Sequence, residues 1–185
     1  MSHPICNSTM WLDCSQGITS AKFYDAISRN FPATLTFRDV HRFSASQRAR
    51  TQARSVFELL AQAEAHAHGT TLDDVHFHEV GRLDNLTRVL GIFSALDMLG
   101  IDEWFATPPV IGNGVVHCSH GELDVPTPAT RYLIEHYDIP ITEVADRPII
   151  GEFTTPTGVA LLTQASGFLS EPPDNARVLR TRILP

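Results

Sequence analysis

Histidines and carboxylates are concentrated in one short stretch of this sequence. His76, His78, Glu79 and Asp84 fall within nine positions, in the segment HFHEVGRLD. Aspartates before it and Gly81 within it favour a strand or an extended loop, in which residues two apart face the same side. The two histidines can then offer imidazoles to one divalent ion, and the carboxylates can supply oxygen. Such ligands suit nickel, zinc, iron or manganese, although a surface pair of histidines is the competing interpretation.

A second group of metal-ligating types, His117, Cys118 and His120, follows the run GNGVV. We add His120 to the candidate metal ligands, whereas an ordinary turn with exposed polar side chains fits the same residues. Cys118 is a candidate nucleophile or a structural thiol, and no triad spacing accompanies it. His66 and His68 lie on a predicted helix, where residues two apart differ by about 200° and point in different directions.

Two Thr-Pro pairs indicate helix starts that an anionic ligand could use. Thr127-Pro128 precedes ATRYLIEHY, and Thr155-Pro156 precedes TGVALLTQA. Threonine as N-cap with proline after it is a strong start signal, and the N–H groups and positive dipole end of a helix suit phosphate or carboxylate. A glycine in the first turn would let a ligand approach closely. Ordinary capping without a ligand is the alternative. The candidate ligand-binding residues are Thr127, Thr130, Thr155, Thr157 and Gly158.

The elements that must position these residues follow from the spacing of apolar side chains. Residues 9–14, TMWLDC, predict a strand, and TLTFRDV at 34–40 alternates like a second strand. Gly69 and Gly100 stop two long amphipathic helices, the first of which covers 44–67. The predicted helices begin at or near Ser20, Ser44, Asp84, Thr127 and Thr155. This pattern is typical of a single mixed α/β domain with short strands and about five helices.

Length and composition exclude several classes of protein. The 185 residues, 43% hydrophobic and 19% charged, are enough for one compact folded domain. A net charge of -7 disfavours nucleic-acid and anionic-membrane partners. There is no apolar run of membrane-spanning length and no signal peptide, and three cysteines without a CxxC pair indicate reduced thiols. We expect a cytoplasmic protein, and both a monomer and a homo-oligomer are compatible with the sequence.

Three segments of the chain, taken in order, resemble the LarC family of nickel-insertion proteins. They are HFHEVGRLDN, the segment from GNG to HCSHGELDVPTPAT, and GEFTTPTGVALL. The resemblance runs from TMWLDC to about residue 169. It implies insertion of Ni(II) into a pyridinium bisthiocarboxylate mononucleotide, driven by CTP, although manganese or zinc would also suit the ligand set. Family members carry a carboxy-terminal domain for CTP, which some encode separately. The resemblance thus assigns 1–170 to a LarC-like amino-terminal domain and 171–185 to a linker and terminal strand, with the CTP domain supplied by a partner.

Three departures from the family pattern keep other functions open. The opening turn, DCSQGITSAKF, lacks the Gly-Asp-Met of the family, Arg88 stands where an acidic residue is usual, and a histidine-rich insertion before the first long helix is missing. The changes at Arg88 and at the Gly-Asp-Met favour a non-catalytic descendant, a structural or regulatory subunit. A metal-dependent hydrolase, in which the same ligands hold an ion that activates water, is the third class. Whether the chain is itself an enzyme is therefore open.

Overall fold

The computed structural model describes residues 8–29, 45–77, 80–118, 121–142 and 150–182. The helices in these ranges are α1 (Ser20–Ser28), α2 (Gln47–His68), α3 (Leu83–Met98), α4 (Pro128–His136) and α5 (Pro156–Leu162). The strands are β1 (Ser8–Asp13), β2 (Ile101–Ala106), β3 (Val115–Cys118), β4 (Gly121–Asp124), β5 (Gly167–Phe168) and β6 (Arg177–Arg180). Five helices with short strands confirm the mixed α/β fold that the sequence predicts. The predicted strand at 34–40 lies outside the described residues.

A four-stranded parallel sheet in the order β5-β2-β1-β6 lies at the centre of the fold. Met10 of β1 is aligned with Trp104 of β2 on one side and with Arg177 of β6 on the other. Met10, Trp11 and Leu12 are at most 6% exposed, so both faces of β1 are covered. This is why the strand lacks the alternation of a half-buried strand and consists of consecutive apolar residues.

Helix α2 follows its sequence signals closely. The Ser46 side chain accepts a hydrogen bond from the Ala49 N–H at its start, and Gly69 ends it with φ of 62°. That left-handed conformation favours glycine, so the stop signal has a direct backbone cause. Although α2 has 22 residues, no helix within the described ranges is both long and apolar enough to cross a membrane.

Two helices start at residues other than the predicted ones. The α1 cap is Thr19, whose hydroxyl accepts from the Lys22 N–H, while Ser20 lies inside the helix. The α3 cap is Arg82, and Asp84 lies in the first turn without capping it. The Ser20 hydroxyl instead donates to Asn85 of α3, 65 positions away, which the local sequence pattern does not reveal. The Asp84 carboxylate is held by its near neighbours Arg82 and Arg88.

The loop between β1 and α1 is held against the segment before α5. Lys22 is the only lysine, and its buried Nζ donates to the carbonyl oxygens of Gln16 at 2.6 Å and Phe153 at 3.1 Å. Burial lowers the pKa of Lys22. Gly17 has φ of 69°, and a Cβ there would lie 2.3 Å from the Phe153 oxygen. This contact fixes the start of α1 relative to the start of α5.

Candidate functional site

The starts of four helices meet around one open cavity of about 810 Å³. Among its lining residues are Thr19 at α1, Asn85 at α3, Thr127 at α4 and Thr155 at α5. The first N–H groups of a helix lack partners within the helix and carry partial positive charge, so this convergence favours an anionic ligand. The two Thr-Pro starts were expected at a ligand site, and the fold adds the starts of α1 and α3.

One wall of the cavity is a cluster of two threonines and a glutamate. Thr127 Oγ1 donates to Glu152 Oε1 at 2.8 Å, and Thr130 Oγ1 lies 3.4 Å from the same oxygen. The two hydroxyl oxygens are 3.0 Å apart. Thr127 and Glu152 line the cavity, whereas Thr130 is fully buried. Thr130 is therefore not in the cavity lining, but it contacts Thr127 and Glu152 from the protein interior. Glu152 also belongs to the site, although no local sequence pattern marks it as a binding residue.

Asn85 connects three of the helix starts. Its Oδ1 accepts from the Ser20 hydroxyl of α1 at 2.7 Å. Its Nδ2 donates to the Val80 carbonyl at 2.9 Å and to Thr157 Oγ1 of α5 at 3.3 Å. Asn85 is 8% exposed, so these bonds form largely away from water. The amide thus fixes α1, α3 and α5 around the cavity, together with the end of the histidine-containing segment.

Asp84 lies between two arginines on the cavity wall. Arg88 Nη1 is 2.9 Å from Asp84 Oδ2, and Arg82 Nε is 3.4 Å from Oδ1. Desolvation raises the pKa of Asp84, but the charge of Arg88, the hydrogen bond and charge of Arg82 and the Asn85 N–H together lower it, and the net shift is downward. The negative charge of Asp84 is thus balanced by its own neighbours, which weakens the argument for Asp84 as a metal ligand.

Only one of the other predicted metal ligands, His76, lies within the described residues. His78, Glu79 and His120 lie outside the described residues, and residues 75–77 lie in neither helix nor strand. His76 is exposed and is not among the residues lining the cavity. Within the described ranges, no three His, Cys, Asp or Glu side chains are grouped so that they could hold a metal ion. The metal site stays a prediction.

Gly158 is explained by packing within the chain. A Cβ at this position would lie 2.0 Å from the Ile18 carbonyl oxygen, which also accepts the Thr155 N–H at 3.1 Å. The Thr155 side chain caps α5 by accepting from the Gly158 N–H at 3.3 Å. The close approach expected of a ligand is therefore made by the backbone of Ile18. Of the predicted ligand-binding residues, the cavity lining includes Thr127, Thr155 and Thr157.

The two described cysteines have different surroundings. Cys14 is fully buried at the end of β1, and burial, followed by the charge of Asp13, strongly raises the pKa of its thiol. A fully buried thiol with a raised pKa fits a structural role in the core. Cys118, on β3, lines the cavity beside His117, whose Nδ1 is 3.4 Å from Glu122 Oε1 on β4.

Comparison with known proteins supports one family. A family model described as nickel insertion protein matches residues 33–181. The pyridinium-3,5-bisthiocarboxylic acid mononucleotide nickel insertion protein of Akkermansia muciniphila is 42% identical over 117 residues, which are 63% of this chain and 28% of that protein. The protein of the same name from Staphylococcus saprophyticus is 38% identical over 130 residues, 70% of this chain and 32% of its own length. No solved structure matches the chain. Because the family model covers most of its length, the chain belongs to the nickel insertion protein family.

Proposed function

We propose that this chain takes part in inserting nickel into a pyridinium bisthiocarboxylate mononucleotide, the reaction that the names of its relatives describe. Family membership supports nickel as the ion. The observation that supports binding of the organic ligand is the convergence of four helix starts on one cavity. Its volume of about 810 Å³ falls within the range of roughly 300–1,000 Å³ that is usual for small-molecule sites.

The charges around the cavity suit a ligand that carries both positive and negative groups. Arg82 and Arg88 lie on the α3 side, and Glu152 lies beside the start of α4. A pyridinium mononucleotide combines a cationic ring with an anionic phosphate and anionic thiocarboxylates. Glu152 would balance the ring, and the arginines and helix starts would hold the anionic groups. The proposed binding residues are Thr127, Thr155 and Thr157, with Thr130 as their support.

Nickel is the cargo of this reaction, and its proposed ligands come from two segments that reach the cavity. Val80, directly after Glu79, lines the cavity, and so does Cys118, two positions before His120. These neighbours support placing both segments beside the bound ligand. The proposed nickel ligands are His76, His78, Glu79 and His120. Asp84 is proposed as a further nickel ligand, for which nickel would have to compete with Arg82 and Arg88.

A second candidate function is a chain that binds the mononucleotide but does not itself hold nickel. The observation that favours it is the pairing of Asp84 with Arg88 at 2.9 Å, which occupies a carboxylate of the predicted metal site. The variant Arg88→Asp separates the two functions, because it removes the arginine and adds a carboxylate one helical turn from Asp84. If nickel binding appears only in this variant, the second candidate is correct.

We expect the chain alone not to turn over CTP, since its sequence contains no P-loop or comparable motif for binding a nucleoside triphosphate. The test incubates the chain with Ni(II), CTP and the pyridinium bisthiocarboxylate mononucleotide, with and without the remaining part of a longer relative. Nickel in the product is measured by mass spectrometry, and CTP hydrolysis by chromatography. Insertion should require both proteins.

Two results would contradict this account. Turnover of CTP by the chain alone would show that it contains a nucleotide site of its own. A complemented reaction without nickel in the product, under conditions in which the complete relative is active, would refute the proposed function.

A further inference from the structure

We propose that Arg82 and Arg88 form a subsite for a phosphate monoester on the α3 side of the cavity. This inference rests on the proposed function and specifies its site: the phosphate of the mononucleotide lies against α3, and its pyridinium ring lies toward the wall formed by Glu152. None of the comparisons assigns a role to either arginine.

The geometry of the two guanidinium groups supports this subsite. Each contacts Asp84 through one nitrogen, Nη1 of Arg88 and Nε of Arg82. A guanidinium group has five N–H donors in a rigid plane, so both arginines keep donors beyond those used for Asp84. Both side chains line the cavity, and Arg88 is 37% exposed, so these donors can be reached from it. Asp84 acts here as a positioning residue that orders the two arginines before a ligand arrives.

The balance of charge favours a phosphate over a single carboxylate. Two arginines against one aspartate leave one net positive charge at this position, and the N–H groups of the first turn of α3 add partial positive charge. A phosphate monoester carries about -1.5 to -2 charges at pH 7 and offers three acceptor oxygens. Other parts of the lining carry Glu64 and Glu152, which repel a dianion. The α3 side is therefore the favourable place for the most negative group of the ligand.

Two commercially available ligands that differ only in the phosphate measure its contribution to binding. Nicotinic acid mononucleotide has a pyridinium ring, a carboxylate and a phosphate monoester, and nicotinic acid riboside lacks only the phosphate. Calorimetry on the metal-free chain should show the mononucleotide binding about tenfold more tightly than the riboside, as charge-assisted hydrogen bonds to phosphate predict. In Arg88→Gln and in Arg82→Gln this ratio should fall to about threefold or less, while the affinity for the riboside stays unchanged.

The controls separate a phosphate subsite from a general structural effect. Arg50→Gln changes an exposed arginine near the start of α2, about 21 Å along the helix from the part of α2 that lines the cavity, and should leave the ratio unchanged. Arg88→Lys keeps the charge but loses the planar fork, so it should give an intermediate ratio. A merely structural role of Arg88 would weaken both ligands equally.

Three results would overturn the inference. They are equal affinities for the two ligands in the wild-type chain, a ratio that persists in both glutamine variants, and a loss of riboside affinity in Arg88→Gln, which would place the carboxylate there instead. The nickel-insertion assay reports on the proposed function separately. A chain that keeps its phosphate preference but never supports insertion would refute that function and leave the subsite intact.

Discussion

Nickel binding is expected to be lost when His76 and His78 are both replaced by alanine. The proposed site takes two of its imidazole ligands from these residues, so their removal should lower the affinity for nickel at least about 100-fold. The measurement is isothermal titration of the wild-type chain and the double variant with nickel, zinc and manganese. Because His76 is exposed, we expect its replacement to leave the fold intact, which circular dichroism can verify.

The matched control replaces two other histidines. The rings of His66 and His136 stack on Tyr132, with ring centroids 4.6 Å and 5.1 Å from it. The double variant His66→Ala, His136→Ala removes the same number of imidazoles from outside the proposed site and should keep the nickel affinity of the wild type. An unchanged affinity in the His76, His78 variant, or an equal loss in both variants, would exclude the site.

Gly158→Ala is expected to destabilise the fold by about 3 kcal/mol, near the upper end of the usual range for overpacking. The reason is that the new Cβ would lie 2.0 Å from the Ile18 carbonyl oxygen, and a backbone atom cannot move aside as a side chain can. For a domain of this size, the melting temperature should fall by roughly 6–12 °C. Urea unfolding gives the free energy directly.

Gly167→Ala is the matched control for this prediction. A Cβ at Gly167 would lie 3.6 Å from Phe105, an ordinary van der Waals contact, so stability should change little. If Gly158→Ala unfolds like the wild type but loses affinity for the mononucleotide, Gly158 faces the ligand after all and the packing explanation is wrong.

Local signals in the sequence were sufficient for most helices. The Thr-Pro pairs mark α4 and α5, and Gly69 marks the end of α2, because caps and stops depend on backbone geometry within a few residues. The pairing of Asp84 with Arg88 can also be predicted from the sequence, since residues four apart on a helix are neighbours. The predicted helix start at Asp84 is displaced, because Arg82 is the cap and Asp84 lies in the first turn between two arginines. Its role as a metal ligand stays a prediction.

The cavity itself could not be derived from local patterns. It exists because the tertiary fold brings the starts of α1, α3, α4 and α5 together, and that arrangement is set by contacts between residues far apart in the chain. Asn85 illustrates this, since its partners Ser20 and Thr157 are 65 and 72 positions away along the chain. Glu152 was visible as part of a motif, but its bond to Thr127 spans 25 positions and has no local signature.

The most direct test of the central claim is an amide chemical-shift titration of the isotopically labelled chain with the pyridinium bisthiocarboxylate mononucleotide. If the cavity binds this ligand, saturable shifts should be largest in the first turns of the four helices, at Ala21, Asn85, Ala129 and Thr157. The amide of Ala49, in the first turn of α2 and outside the cavity lining, should not shift. Saturable shifts centred away from these four amides, or no saturable shifts at all, would contradict the account.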